Sequence, residues 1–170
     1  MLNWKEDKRW SDQFLTEVKS ILGIYLIGEP PIEEDQEHNT DLIVLKMDAI
    51  RIGVRIRRTT GKNGINYLDH YKNEFTIRSS RPNGNKTELA KIIEGWGDYF
   101  FYGFGDNGKL VYYHLCDLNV FRLWYTTQLY NGIKPGLSKF NSDNSSGLLA
   151  FNFNDLPTSF IIASSPCGTC

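Results

Sequence analysis

The chain has 170 residues, of which 41% are hydrophobic and 23% are charged, and its formal net charge at pH 7 is −1. This length suits one domain with a proper core, and the ordinary apolar and charged fractions exclude a disordered chain. The sequence has no apolar run of about 18 residues and no basic-then-apolar start, so it predicts neither a membrane span nor a secretory signal. We therefore expect a cytoplasmic protein with one globular domain at 1–165 and a flexible tail at 166–170.

The near-zero net charge conceals a strong polarity along the chain. Residues 1–48 carry five Lys or Arg against eleven Asp or Glu, whereas residues 49–91 carry ten against three. A basic segment this concentrated in a neutral protein indicates a local site for an anion. The alternative is that the two segments neutralise each other in space, with an acidic loop at 28–39 lying against the basic segment.

The three cysteines do not form a disulfide framework. Cys116 is isolated in the sequence, and Cys167 and Cys170 have CxxC spacing at the extreme C-terminus. No second pair is present to complete a four-ligand zinc site. We interpret the terminal pair as part of a frayed end rather than as a redox or metal site.

The clearest helix is predicted at 4–26, where apolar residues recur at three- and four-residue spacing. Glu17 lies at the margin of this apolar stripe. A carboxylate at that position is either solvated or held toward a site beneath the helix. The loop at 28–39 follows, because two prolines end the helical pattern and five acidic residues crowd together.

A two-stranded hairpin is predicted across Thr40–Arg58, with Asp41 at the start of an apolar first strand. In the second strand isoleucine or valine alternates with arginine, and Arg55, Arg57 and Arg58 come at its end. Because strand side chains alternate between faces, one face of this strand is apolar and the other is cationic. The cationic face is a candidate floor for an anionic ligand.

A strand at 74–79 leads into a second basic stretch that precedes a helix. Thr87 is a reasonable N-cap for this helix. The free amides at its start, together with Arg78, Arg81 and Lys86, would attract a phosphate. The alternative is an ordinary basic loop that leads into a core helix.

The remaining elements are an aromatic hairpin at 98–115, a helix at 118–130 and two short strands near the C-terminus. Aromatic residues this dense suggest base stacking, but in strands they more often form the core. The element order predicts an α+β fold with a central mixed β-sheet, flanked by the N-terminal helix and two further helices.

This order of helix, strand pair, strand, helix, strand pair and helix resembles the core of the restriction-endonuclease-like nucleases, the PD-(D/E)xK superfamily. The resemblance covers about residues 10–115. Members carry an Asp that opens one core strand, an acidic-x-Lys pattern in the next, and often an acid from the first helix. Here Thr40-Asp41 stands at the first position, Val54-Arg55-Ile56-Arg57 stands at the second, and Glu17 lies on the preceding helix.

The resemblance implies Mg²⁺-dependent cleavage of DNA, with Asp41 and Glu17 holding the metal and Arg57 stabilising the developing negative charge. Arg55 replaces a metal ligand by a positive charge, so catalysis needs another carboxylate. The candidates are Glu17, Glu34, Asp35 and Glu88. The DNA backbone would contact Arg55, Arg58, Arg78, Arg81, Lys86 and Thr87. Without a replacement carboxylate the fold would bind DNA and cut nothing.

Two other functions stay open at this point. The chain could be a non-catalytic protein-binding module of phage or defence type that uses its acidic loop and aromatic surface. It could also be a structural domain whose arginine strand pairs with the acidic loop. The motifs of serine hydrolases, dinucleotide-binding enzymes and zinc proteases are absent from the sequence, so those enzyme classes are not expected.

Overall fold

The computed structural model describes residues 4–23, 26–28, 42–45, 49–61, 64–82, 84–141 and 146–165, which adopt an α+β fold. The α-helices of these residues are α1 Trp4–Asp12, α2 Leu15–Leu22, α3 Tyr67–Tyr71, α4 Glu88–Ile93 and α5 Leu118–Tyr130. The strands are β1 Leu26–Gly28, β2 Leu42–Leu45, β3 Ala49–Arg58, β4 Glu74–Ser80, β5 Tyr99–Asp106, β6 Lys109–Asp117, β7 Leu137–Phe140, β8 Gly147–Asn152 and β9 Ile161–Ser164. Two short 3₁₀ helices lie between β8 and β9. None of the described helices is both long and apolar enough to cross a membrane.

The strands form two sheets. The larger has the order β1-β2-β3-β5-β6-β9, and the smaller has the order β4-β8-β7. Strand β3 runs parallel to β5, whereas the other neighbouring strands of both sheets are antiparallel. The larger sheet is therefore mixed, as the sequence predicts. The predicted hairpin is also present, with Leu42 of β2 opposite Ile52 of β3.

Each face of the larger sheet is covered by a different layer. On one face, Phe14 and Val18 of the N-terminal helical region pack against Ile52, Ile56 and Phe101. On the other face, aromatic residues of β5 pack against β4, β8 and α5. The alternation of side chains along β3 and β5 produces this division, because successive residues point to opposite layers.

Phe75 of β4 is the centre of the second layer. Its side chain is fully buried and its ring lies within 6.4 Å, centroid to centroid, of six other aromatic rings. These rings belong to Phe100, Tyr102, Phe121, Phe151, Phe153 and Phe160. Most of the aromatic residues of the chain's second half are thus core, which is the interpretation that the strand pattern favours.

The structure differs from the sequence prediction in three local features. The N-terminal helix is two helices, which a turn at 13–14 separates, and it ends at Gly23, whose φ of +83° is costly for other residues. Helix α3 and strand β7 are two elements for which the sequence analysis makes no prediction. Strand β4 belongs to the smaller sheet, because its partner is β8, about 70 residues further along the chain.

Candidate anion-binding site

The face of β3 that carries Arg55 and Arg57 is covered by β4 of the smaller sheet and by α4. Ile52 and Ile56 point toward the N-terminal helices. Arg55 and Arg57 occupy the alternate positions of the strand, so they point to the opposite face, toward β4 and α4. The sequence predicts that one face of this strand is apolar and the other is cationic. It does not predict that a second sheet covers the cationic face.

Arg55 forms an ion pair with Glu88, the first residue of α4. Its Nη2 donates to Oε1 and Oε2 of Glu88 at 2.7 and 2.6 Å, and its Nη1 donates to the carbonyl oxygen of Thr76 at 2.6 Å. The Arg55 side chain is 21% exposed and that of Glu88 is 5% exposed. Thr87 begins the helix as predicted, since its hydroxyl accepts from the N–H of Ala90 at 3.2 Å. Charge-assisted bonds in so buried a setting are strong, so this pair fixes α4 against β3.

Arg57 continues the polar contacts along the same face. Its Nη1 donates to the Tyr102 hydroxyl at 3.0 Å, and that hydroxyl lies 3.1 Å from Oγ1 of Thr76. The Arg57 guanidinium also stacks 4.5 Å from the centroid of the Tyr71 ring. The result is a polar network that runs from Glu88 through Arg55, Thr76 and Tyr102 to Arg57.

Arg78 lies on the other side of the Glu88 carboxylate. Its backbone N–H donates to Oε2 of Glu88 at 2.8 Å. Its side-chain Nε is buried and has no hydrogen-bond partner among the described residues. Burial lowers the pKa of Arg78, and the positive charges of Arg55 and Arg81 lower it further, against the opposing effect of Glu88.

Arg55 and Arg78 both lie beside the carboxylate of Glu88, and the charge of Arg81 acts on Arg78. We call these three arginines and Glu88 the arginine cluster, whose members carry three positive charges and one negative charge. Lys86 lies nearby in sequence and pairs with Glu94 at 2.6 Å, with both side chains well exposed. An exposed pair of this kind is weak, so Lys86 can exchange Glu94 for another anion.

Two of the predicted catalytic residues lie on opposite faces of the larger sheet. Oε2 of Glu17 accepts from the backbone N–H of Leu110 at 2.7 Å, on the face that carries α1 and α2. Glu88 lies on the opposite face, with Arg55. Arg58 also lies on the α1 side, where its guanidinium stacks 4.5 Å from the centroid of the Trp10 ring. The structure thus brings Glu88 together with Arg55, Arg78 and Arg81, but not with Glu17.

The predicted metal ligand Asp41, together with Glu34 and Asp35, lies outside the described residues, as do the acidic loop, Cys167 and Cys170. Within the described part of the chain, no group of three or more His, Cys, Asp or Glu side chains could hold a metal ion. Both carboxylate oxygens of Glu88 are engaged by Arg55. The described residues on their own therefore do not fit a magnesium site.

Sequence reasoning overlooks three participants of the polar network, namely Tyr71, Thr76 and Tyr102. The sequence contains a signal that could have identified Thr76, because Thr76 shares a face of β4 with Arg78, which is a predicted anion-binding residue. No local signal exists for the two tyrosines, because each is one of many aromatic residues in its segment.

A second surface feature lies away from the arginine cluster, around α5 and β7. Ten large hydrophobic side chains of the described residues are exposed, and six of them fall between 123 and 140. These six are Leu123, Leu129, Tyr130, Ile133, Leu137 and Phe140. A cavity of about 520 Å³ opens beside them, between α5, β7 and β8. We call this region the α5–β7 surface.

A comparison of the chain with models of protein families, with curated proteins and with solved structures finds no match in any of the three.

Proposed function

We propose that this is a cytoplasmic protein that binds the sugar-phosphate backbone of DNA through the arginine cluster. The observation that carries the proposal is the charge of the cluster, whose members among the described residues are three guanidinium groups and one carboxylate, that of Glu88. A phosphate group supplies the missing negative charge. Guanidinium groups suit this role because their donors match phosphate oxygens in pairs.

The roles within the cluster follow from burial. Arg55 is held by Glu88 and Thr76, so it contributes positive potential from a fixed position. Arg81 is partly exposed and Lys86 is exposed, so these two are placed to contact the phosphates directly. Contacts of this kind fix the position of the backbone and carry no base preference.

The order of elements supports the same proposal. Apart from the additional elements β1 and α3, the chain has the order of elements on which the resemblance to the PD-(D/E)xK nucleases is based, namely α1 and α2, the pair β2–β3, strand β4, helix α4, the pair β5–β6 and helix α5. Magnesium-dependent hydrolysis is the catalytic extension of the proposal. Since the described residues do not fit the metal, this extension depends on Asp41.

Binding is tested with fluorescently labelled DNA duplexes over a range of salt concentrations. We expect the logarithm of the binding constant to fall linearly with the logarithm of salt, with a slope of about −0.9 per phosphate contact. Arg81→Ala and Lys86→Ala should each weaken binding to all sequences alike and reduce the slope by about one. Lys109→Ala is the matched control, because this exposed lysine lies at the start of β6, away from the cluster. Absence of affinity at about 50 mM salt, or an equal loss in the control, would overturn the proposal.

The catalytic extension has its own assay. Plasmid, double-stranded and single-stranded DNA are incubated with the protein and Mg²⁺ or Mn²⁺. We expect cleavage that Asp41→Ala abolishes while DNA binding persists. If the protein binds DNA and cuts none of these substrates with either metal, the extension is wrong and the binding function stands.

A second candidate is a protein-binding module, which the exposed apolar residues of the α5–β7 surface favour. Monomeric proteins seldom concentrate large exposed apolar side chains in one region unless that region binds a partner. The test is whether a protein co-purifies with the tagged chain and is lost in Leu123→Glu and Tyr130→Glu. Val111→Glu is the control, because Val111 is similarly exposed but lies on β6.

A further inference from the structure

The cavity of the α5–β7 surface has apolar walls and polar groups at a few points. Trp124 and Phe151 supply aromatic walls, and Ile133, Pro135 and Leu137 add aliphatic surface. Ligand sites commonly combine a mainly apolar lining with a small number of polar groups. A volume of about 520 Å³ is large enough for a long side chain together with part of the backbone that carries it.

The polar groups of the cavity are acidic or neutral. Glu74 and Asp155 supply two carboxylates, and Gln128 supplies an amide. Glu74 accepts two hydrogen bonds from Nζ of Lys139, at 2.6 and 2.8 Å. Asp155 makes no hydrogen bond or ion pair with another described residue, and its side chain is exposed. One carboxylate in the cavity thus lacks a partner of opposite charge within the described chain.

Strand β7 borders this cavity and is an edge strand of the smaller sheet. Within the described residues it pairs with β8 on one side, so the N–H and C=O groups of its other side face outward. Its terminal residues Leu137 and Phe140 are 65% and 70% exposed. An edge of this kind can accept an additional strand from another chain.

We propose that an extended peptide segment of a partner protein adds to β7 as a strand and places a lysine or arginine side chain in the cavity. The ammonium or guanidinium group would pair with Asp155, and its aliphatic stem would lie against Trp124 and Phe151. Aromatic faces attract cations, so the walls favour the same charge as the carboxylate does. This inference rests on the second candidate function, for which it names the chemistry of the partner.

The charges argue against the other occupants of this surface. A phosphate or a nucleic-acid strand would meet the carboxylate of Asp155, which has no cationic partner among the described residues, and be repelled. A purely apolar side chain would fill the cavity but form no interaction with the Asp155 carboxylate. A basic side chain uses both the apolar walls and the carboxylate.

The experiment uses synthetic peptides and the isotopically labelled full chain in NMR titrations. The probe is a capped peptide of about eight residues, in which threonine and valine alternate around one central lysine. A second peptide has norleucine in place of the lysine, and a third has N-methyl groups on alternate amides. The signals followed are the β7 amides and the indole N–H of Trp124, which Trp124→Phe identifies.

We expect the lysine peptide to shift these signals and to bind about two- to fivefold more tightly than the norleucine peptide. Asp155→Asn should abolish that difference, and N-methylation should abolish binding. Asp7→Asn, on the exposed surface of α1, is the matched control and should leave the difference unchanged. The co-purification assay is independent of these peptides, so the second candidate function can survive a failure here.

Three results would overturn the inference. The first is the absence of any shift with the lysine peptide at millimolar concentration. The second is equal affinity of the lysine and norleucine peptides, or an undiminished difference in Asp155→Asn. The third is binding of the N-methylated peptide as tight as that of its parent, which would exclude strand addition.

Discussion

A single guanidinium nitrogen of Arg55 donates to both carboxylate oxygens of Glu88, and this contact joins the larger sheet to the helix that follows β4. The pair contributes to the fold as well as to the charge of the arginine cluster. The carboxylate of Glu88 accepts hydrogen bonds from the guanidinium group of Arg55 and from the backbone N–H of Arg78. Removal of the carboxylate would therefore affect two strands that belong to different sheets.

We expect Glu88→Ala to lower the free energy of unfolding by about 2–4 kcal/mol. The reason is that Arg55 and the N–H of Arg78 lose their acceptor in a mostly buried setting, where an uncompensated charge is costly. Urea denaturation measures the loss. In the double variant Arg55→Met with Glu88→Leu, both charges are gone, so we expect more of the stability to be retained than in Glu88→Ala.

The control for this prediction is Glu94→Ala. Glu94 pairs with Lys86 at the same short distance, but both side chains are well exposed. We expect a change below about 1 kcal/mol, because water solvates the separated charges. Equal losses in Glu88→Ala and Glu94→Ala would show that the burial of the first pair has no effect on its strength.

The second prediction concerns Phe75, which lies at the centre of the aromatic core. We expect Phe75→Ala to cost about 3–5 kcal/mol, because the cavity it leaves is walled by rings from five elements that cannot all move inward. Phe75→Leu should cost about 1 kcal/mol, since it keeps most of the volume. Phe140→Ala is the control, because Phe140 is 70% exposed. A loss in the control as large as that of Phe75→Ala would contradict the assignment of the core.

The fold class could be predicted from the sequence because it depends on local periodicity. Three such features depend only on residues that are close together in the sequence: the arginine alternation of β3, the Thr87 cap and the aromatic hairpin. The environment of the arginines could not be predicted in the same way. It depends on the pairing of β4 with β8, which a long stretch of chain separates, and no local pattern specifies such a partner.

The candidate site shows the same limit. The residues of the arginine cluster were predictable as a basic group, because they occur in one charged segment. The partner of Glu17 was not, because its carboxylate binds the backbone N–H of Leu110, 93 residues away in sequence. Backbone groups carry no residue-type signal, so a half-buried carboxylate that binds one looks identical in sequence to a catalytic acid.

A third prediction concerns the close approach of Gly105 to Phe14. A Cβ atom on Gly105 would lie 2.2 Å from Cε1 of Phe14, although the backbone of Gly105 itself is not in the left-handed region. We expect Gly105→Ala to destabilise the protein by about 1–3 kcal/mol, because the Phe14 ring must leave its position against the larger sheet.

The check on this prediction is a double-mutant cycle. Phe14→Leu alone should lose stability, since it removes ring atoms that pack against Ile52 and Ile56. Combined with Gly105→Ala, it should cost less than the sum of the two changes, because leucine leaves room for the added methyl group. Additive losses would mean that the two residues are not in contact.

The last prediction concerns pH, through His114 of β6. The His114 side chain is buried, its Nε2 lies 2.8 Å from the Tyr112 hydroxyl, and its Nδ1 has no partner among the described residues. Burial lowers the pKa of His114 below its ordinary value of 6.5. The unfolded chain therefore takes up a proton near pH 6.5 while the folded protein resists it.

The sign of the effect follows from this difference. Unfolding takes up a proton between the lowered pKa of the folded protein and about pH 6.5, so acidification in that range favours the unfolded chain. The contribution of His114 to stability is thus complete above about pH 6.5, and it falls below that pH by at most about 1.4 kcal/mol per pH unit. We expect Tm to decrease from about pH 7.5 to about pH 5.5, and the decrease to be smaller in His114→Gln, which cannot titrate.

The control is His70→Gln, because His70 is exposed on α3 and this substitution should leave the pH dependence of Tm unchanged. Parallel Tm profiles for the wild type and His114→Gln would mean that His114 is not the group that makes the fold sensitive to mild acid.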